Sequence, residues 1–355
     1  MTSPARRLEW TDHRQDPAAW ATSLGISREA VDLYLASDVV DLHVDTFLLN
    51  RFYGYDLTKR HPGGFHRQVD LPRVREVQLS GALWAISTNP LYPQSRRPGR
   101  FLKNLTILRG ILESCPDDVA IVRNLHEYRA ARAAGKHAAF IAIQGGNALD
   151  HPGALDLIPD DLVVRITLLH LASSSLGTTS SPLHSNRTLT PRGVVYVEQL
   201  NHKRIFVDLA HSSRKTFFDV LKVHDRTQPV IVTHTGVSGA FPHWRNLDDE
   251  QVRAIADLGG TIGIMYQASF LGDRTWNGRA ETIVRHLAHI VDTVGEDHAS
   301  LGSDWDGLIV PPRDMPTCLE LPKLVQLMLD RGWAEGRIRK ILGGNFLRAL
   351  GQLRP

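Results

Sequence analysis

Short, continuous apolar runs alternate along this chain with stretches of helical period. Eight runs can be counted: Val39–Thr46, Val77–Ser87, Ala138–Gly145, Leu162–His170, Arg204–His211, Pro229–Thr235, Thr261–Tyr266 and Ala299–Asp306. Runs that are apolar on both faces suit strands covered on both sides, which is the signature of a parallel sheet. Between them, Phe101–Ser114, Ser213–Val223, Asp248–Leu258, Thr282–Val294, Ala334–Leu342 and Asn345–Leu353 repeat apolar residues at helical spacing. Ser212 or Ser213 can cap the second helix, Gly259-Gly260 stops the third, and the last two are read as separate helices joined through Gly343-Gly344. Eight strands alternating with helices is the count of an α/β fold of the (β/α)8, TIM-barrel type. The alternative is an open doubly wound sheet, which would usually bring a glycine-rich phosphate turn after its first strand; none is present. Residues 1–36 read as an N-terminal helical extension over the barrel bottom, with its helices within Asp16–Leu35, and residues 37–355 as the barrel. Two long connections, Asn89–Arg100 and Leu171–Thr190, follow strands and are expected to wall the barrel mouth.

Composition narrows the function classes. The 355 residues carry 41 Lys plus Arg against 38 Asp plus Glu, a formal net charge of +3. That excess is small and scattered, so no nucleic-acid partner is expected. Cys115 and Cys318 are too few for a disulfide framework or a thiolate zinc site. The opening MTSPARRLEW has no apolar signal region, no stretch is long and apolar enough to span a membrane, and RALGQLRP is no lipid-anchor tail. The expectation is a cytoplasmic protein without a membrane partner. What stands out is 17 His against 2 Cys, because histidine is the side chain of metal ligation and proton transfer.

Several of these histidines stand where the apolar runs end. The first run ends in Asp41-Leu42-His43-Val44-Asp45, the third in Gln144-Gly145-Gly146, the fourth in His170, the fifth in His211, the sixth in His234 and the eighth in Asp304-Trp305-Asp306. Residues two apart in a strand share a face, so His43 and Asp45 point the same way. Polar residues that finish barrel strands point into one shared mouth. Four His and two Asp converging there form a zinc-type set of nitrogen and oxygen donors. A single strand-end His is commonly just a hydrogen-bonded side chain; the joint placement carries the reading. His61, His66, His126, His224, His286, His289 and His298 fall in loops, in helices or near helix ends. No HExxH, GxSxG, P-loop or CxxC is present.

From Val39 to Leu347 the chain resembles the renal, or membrane, dipeptidase family (peptidase family M19) of the amidohydrolase-type barrels. The matching segments are VDLHVDT, IAIQGGNALD, LTPRGVVYVEQLNHKRIFVDLAHSS, PVIVTHTGV, RNLDDEQVRAIADLGGTIGI, LGSDWDG and ILGGNFLR. The resemblance implies a zinc-dependent dipeptidase that cleaves small dipeptides or acyl-amino acids bearing a free C-terminal carboxylate, through a metal-bound hydroxide. It implies His43 and Asp45 at one zinc, His211 and His234 at a second, and residue 144 between them. It implies His170 against the substrate near the scissile carbonyl, Arg245 with Asn246 at the substrate carboxylate, and Asp304 handling the proton. From spacing alone, Arg245 can equally pair with Asp248 or Asp249. Family members are often homodimers.

One departure bears on the metals. Gln144 stands where the family usually has a glutamate bridging both ions. An amide offers one neutral oxygen in place of two anionic ones, so one or two Zn2+ per chain are expected, with weakened binding. The alternative is a weak or inactive relative that binds a small ligand. The Asn-rich stretch after the substrate histidine is also replaced, here by Leu171-Ala172-Ser173-Ser174, which points to a different substrate pocket.

Overall fold

The computed structural model describes residues 5–64, 66–88, 92–181 and 188–355. Parts of both long connections, residues 89–91 and 182–187, lie outside the described residues. Among the described residues nine strands, all parallel, form one sheet: β1 (Val40–Val44), β2 (Gly81–Ser87), β3 (Val119–Ile121), β4 (His137–Gln144), β5 (Val163–Thr167), β6 (Phe206–Asp208), β7 (Val232–Thr235), β8 (Ile262–Ile264) and β9 (Ala299–Leu301). Eight of them follow the order β6-β5-β4-β2-β1-β9-β8-β7. A parallel bridge between Asp208 and Ile231 brings the two ends of that order together. The result is the expected barrel, with helices around it and loops after each strand forming the mouth.

The ninth strand, β3, is the element that periodicity did not reveal. Its three residues pair with the first part of β4 (Val119↔His137 to Ile121↔Ala139), and β5 takes over that edge from Ile141 onward. A strand this short has too few residues to show a period. Two other expectations are corrected. The helix after β2 begins at Arg97, not Phe101, because Pro98 sits in its first turn, where a missing N–H costs nothing. The Gly343-Gly344 pair does not stop a helix. Glu335–Arg339 runs through a π-helical turn, Lys340–Gly344, directly into Asn345–Leu353. A Cβ at Gly343 would lie 2.6 Å from the Asp38 carbonyl oxygen, so this glycine permits a close approach rather than a break.

The cap read from the sequence forms at Ser213, and the structure adds one at Asp248. Ser213 accepts from the Thr216 N–H, and Asp248 makes a reciprocal capping box with Gln251. Before β1, helices Pro17–Leu24 and Arg28–Leu35 bury Trp20, Val31 and Tyr34 in the main core. Ser27, between them, donates its N–H to Gln326 in helix Pro322–Asp330. A second cluster joins Val40, Leu42, Leu83, Phe140, Val164, Phe206 and Ile231 from the strands to Phe346 of the last helix.

His137, at the start of β4, is wholly buried and needs no metal. Its Nε2 accepts from the Trp84 indole N–H at 3.1 Å, and its Nδ1 donates to the Leu79 carbonyl at 2.8 Å. Both partners require the neutral ring, and burial pushes its pKa down to about 4. The unfolded chain, with an ordinary histidine near 6.5, therefore binds the extra proton first. Stability from this residue is complete above about pH 6.5 and is lost as pH falls towards 4. At about 1.4 kcal/mol per pKa unit the loss is on the order of 3 kcal/mol. Urea unfolding of native protein and His137→Gln at pH 7 and pH 4.5 should show a smaller acid loss in the variant; parallel losses would remove His137 as a cause.

Candidate metal centre

The strand register builds a polar ring at the top of the barrel. Ser87 pairs with Gln144, Gln144 with Thr167, and Thr167 with Asp208. These are the last residues of β2, β4, β5 and β6, so four apolar strands finish at one level on a hydrogen-bonding side chain. Two residues further down, on the same face of β5, Ala142 pairs with Arg165 and Arg165 with Phe206. That places a fully buried guanidinium directly beneath the ring.

The histidines reach this ring through local irregularities. The β1–β2 register slips by one residue between Asp41 and Val44. The slip lets Leu42 pack with the apolar cluster while its neighbour His43 joins the polar floor, as a bulge permits. A second slip, between Val232 and Thr235, holds His234. His211 and Asp304 both adopt left-handed backbone at φ 64°. Such a conformation costs a non-glycine residue ~1–2 kcal/mol and persists only where the surroundings impose it, commonly at functional sites.

Three of the expected residues form a tight nest: ligand atoms of His43, His234 and Asp304 lie within 4.8 Å of one another. His43 Nε2 is 3.5 Å from both Asp45 Oδ2 and Asp304 Oδ1, and its ring stacks on His234 at 3.9 Å. His211 Nε2 lies 2.9 Å from His234 Nε2 and 3.4 Å from the Gln144 amide. The His170 ring meets His211 edge-on at 5.0 Å, and its Nδ1 has no protein partner. The structure thus brings His43, Asp45, Gln144, His170, His211, His234 and Asp304 to one floor. Asp306 is spent elsewhere: it accepts from the Thr46 hydroxyl and the Gln68 N–H.

Burial governs the charge states. It holds His211 and His234 well below the ordinary imidazole pKa, and His170 at about 4, so all three rings are neutral at pH 7. Burial, reinforced by Asp45, holds Asp304 well above the carboxylate range. Asp45 moves the other way despite burial, because His43 and the Ser87 hydroxyl stabilise its charge.

Residues that the strand-end reading missed orient this floor. Asp208 accepts from the hydroxyls of Thr167 at 2.6 Å and Thr233 at 2.7 Å. Since Thr233 spends its one proton on Asp208, it accepts from His234 Nδ1 at 2.9 Å. The ring proton of His234 is thereby fixed on Nδ1 and the Nε2 lone pair is free, the arrangement that metal-ligating histidines need. Arg165 donates 2.7 Å to His43 Nδ1, 3.6 Å from Asp208. A guanidinium only donates, so the neutral His43 carries its proton on Nε2, aimed at two carboxylates. A cation there has to displace that proton, which makes binding pH-dependent. The signal for these residues was the few polar side chains inside otherwise apolar runs: Arg165 and Thr167 in one, Asp208 and Thr233 in the next two.

A cavity of about 310 Å3 opens above the floor, lined by Asp45, Gln144, His170, His211, Arg245 and Asp304 below and by apolar side chains towards the mouth. Arg245 is 4% exposed and donates to the His234 carbonyl at 2.9 Å. The alternative ion pairs are taken by other partners: Asp248 pairs with Arg214 at 2.6 Å and Asp249 with His289 at 2.7 Å. Asn246 is not brought into this cavity. Its amide donates to the Phe241 and Phe270 carbonyls, both at 2.9 Å, and so braces the loop that carries Arg245. Asp150 anchors the two long connections, accepting from Gln94 of the first and Ser175 of the second.

Comparison with known proteins finds relatives along most of the chain. The family model for membrane dipeptidase (peptidase family M19) matches residues 27–354. An uncharacterized Klebsiella pneumoniae protein from the pqqA 5' region is 35% identical over 165 residues, 46% of this chain and 60% of that one. The match thus spans less than two thirds of that relative. Dipeptidase tcpJ of Claviceps purpurea is 28% identical over 296 residues, 79% of this chain and 68% of its own length. Among solved structures, a Rhodobacter sphaeroides metallopeptidase carrying a phosphinate mimic of the dipeptide L-Ala-D-Ala superposes with a TM-score of 0.81 at 25% identity, covering 89% of this chain and 99% of that one. The chain belongs to the membrane dipeptidase family, peptidase family M19.

Proposed function

We propose that this protein is a zinc-dependent dipeptidase acting on small dipeptides or acyl-amino acids that carry a free C-terminal carboxylate. One observation carries the reading: a buried arginine faces the same small cavity as a nest of metal-type donors. The donor set fits a divalent ion of the zinc type, being nitrogen and carboxylate oxygen with a convergent, proton-free lone pair on His234. His43, His234 and Asp304 would hold it, with Asp45 beside them. A bound cation would supply Lewis acidity towards the peptide carbonyl and activate water at neutral pH.

The chain's own residues do the rest. Arg245 offers a carboxylate a planar pair of donors in a site shielded from water. His170, neutral, presents a ring nitrogen without a protein partner to the cavity and serves as a hydrogen-bonding contact near the scissile bond. Asp304 has one oxygen beside His43 and a second for passing a proton from water to the leaving amine. Leu48, Leu171, Met265, Phe270, Leu308 and Ile309 line the cavity, which favours substrates with apolar side chains.

The test is direct. Purified protein should contain zinc and hydrolyse apolar dipeptides, lose the activity to a chelator and regain it with Zn2+. A metal-free, inactive native chain that becomes active only as Gln144→Glu would instead support the ligand-binding alternative.

A further inference from the structure

Ser87 also borders a second, much smaller cleft, lined by Arg51, Tyr92, Arg97, Arg100 and Asn104. Two helices build it. Arg51 comes from helix Phe47–Tyr53, one turn after Leu48 of the larger cavity. Arg97, Arg100 and Asn104 come from helix Arg97–Glu113, at the three- and four-residue spacing that puts side chains on one face.

This lining supplies donors and positive charge. Arg51 gives one N–H to the Ser87 carbonyl at 2.6 Å and has others left. Arg97 donates to the Tyr92 carbonyl at 2.9 Å, and Arg100 to the Tyr92 hydroxyl at 2.5 Å. Asn104 is only 7% exposed, yet its side chain makes no hydrogen bond within the described residues. A buried amide without a partner is costly, and this one faces the cleft. No lining residue is acidic. Burial pushes the Arg51 guanidinium below the ordinary arginine range; Asp45 opposes this shift and the Arg100 charge adds to it.

Size selects the ligand. The free space is about 20 Å3, room for one particle the size of a water molecule. A carboxylate or phosphate on an organic chain is too large, whereas a halide fits. A water would satisfy Asn104 but leave the guanidinium charges unopposed.

We propose that this cleft binds one monatomic anion, chloride, between Arg51, Arg100 and Asn104. The site is separate from the metal nest and does not depend on the zinc reading. Thermal unfolding of the full chain is followed at constant ionic strength while gluconate, too large for the cleft, is replaced by chloride. The midpoint should rise saturably, by about 2 °C once chloride exceeds its dissociation constant about fivefold. In Arg100→Gln, altered at the exposed rim, and in Asn104→Leu, saturation should need ~10-fold more chloride or more, the scale of losing a hydrogen bond to a charged group. Crystals grown in sodium bromide should show an anomalous peak between Arg51 and Asn104. Equal midpoints in the two salts would overturn the proposal. So would a saturable rise that both variants keep, which would place the ion elsewhere. A bromide peak in the cleft without saturable stabilisation would mean an adventitious ion only, and would overturn it too. Arg100→Gln decides the matter even if Asn104→Leu does not fold.

Discussion

Replacing Arg245 with alanine is expected to lower kcat/KM for dipeptides with a free C-terminal carboxylate by on the order of 100- to 1000-fold. The argument starts from burial. The guanidinium is 4% exposed, and burial pulls its pKa from the ordinary arginine range down to about 10. It still stays charged at neutral pH, and Asp304 and Asp208 favour that charge from nearby. A substrate carboxylate would complete it. Truncating one partner of a desolvated, hydrogen-bonded charge pair costs ~2–5 kcal/mol, and each ~1.4 kcal/mol is tenfold. Amidated dipeptides offer no carboxylate and should lose far less. Arg245→Lys should recover only part, since an ammonium is a point charge without the planar fork. Because Arg245 also holds the His234 carbonyl at 2.9 Å, zinc content has to be measured beside the kinetics. Equal losses on free and amidated substrates, at unchanged zinc content, would take Arg245 out of carboxylate binding.

The same arginine shows where the sequence was legible. Its position in RNLDD suggested either a substrate contact or an ion pair with Asp248 or Asp249. Only three dimensions could decide, because the competitors for those acids, Arg214 and His289, are 34 and 40 residues away from them. Asn246, adjacent in sequence, turned out to brace two backbone carbonyls outside the cavity. The barrel itself was readable because each core strand is apolar on both faces, and that composition is local. The strand-end His were readable for the same reason. His43 and Asp45 were assigned to one face by simple alternation, yet the register slip after Asp41 is what reconciles His43 with the inward Leu42. A slip is a property of two strands together and leaves no mark on one. Arg165, Thr167 and Asp208 were hidden differently. Arg165 and Thr167 stand two apart in one apolar run and Asp208 in the next, and only the cross-strand register shows that all three meet.

Those hidden residues carry the second large effect. Arg165 is wholly buried, and Asp208, also wholly buried, is its salt-bridge partner at 3.6 Å. The pair laces β1, β4, β5 and β6, since Arg165 also donates to the Ile143 carbonyl, the Thr167 hydroxyl and His43. Removing one partner of a buried pair leaves an uncompensated charge, so Asp208→Ala should destabilise the fold by ~3–5 kcal/mol. That is a large share of the ~5–15 kcal/mol that holds a domain together. Thr233→Val separates this role from the metal role. It keeps the Arg165–Asp208 pair and the side-chain shape, but strips His234 Nδ1 of its acceptor. Its stability cost should stay near ~1–3 kcal/mol, whereas zinc affinity should fall ~10–100-fold. Urea midpoints and zinc competition titrations on the two variants give the comparison. The expected pattern is a large shift in the midpoint for Asp208→Ala and a large shift in zinc affinity for Thr233→Val. Native zinc affinity in Thr233→Val would mean that the threonine does not set the tautomer of His234, and that the lone pair facing the nest is fixed by the cation alone.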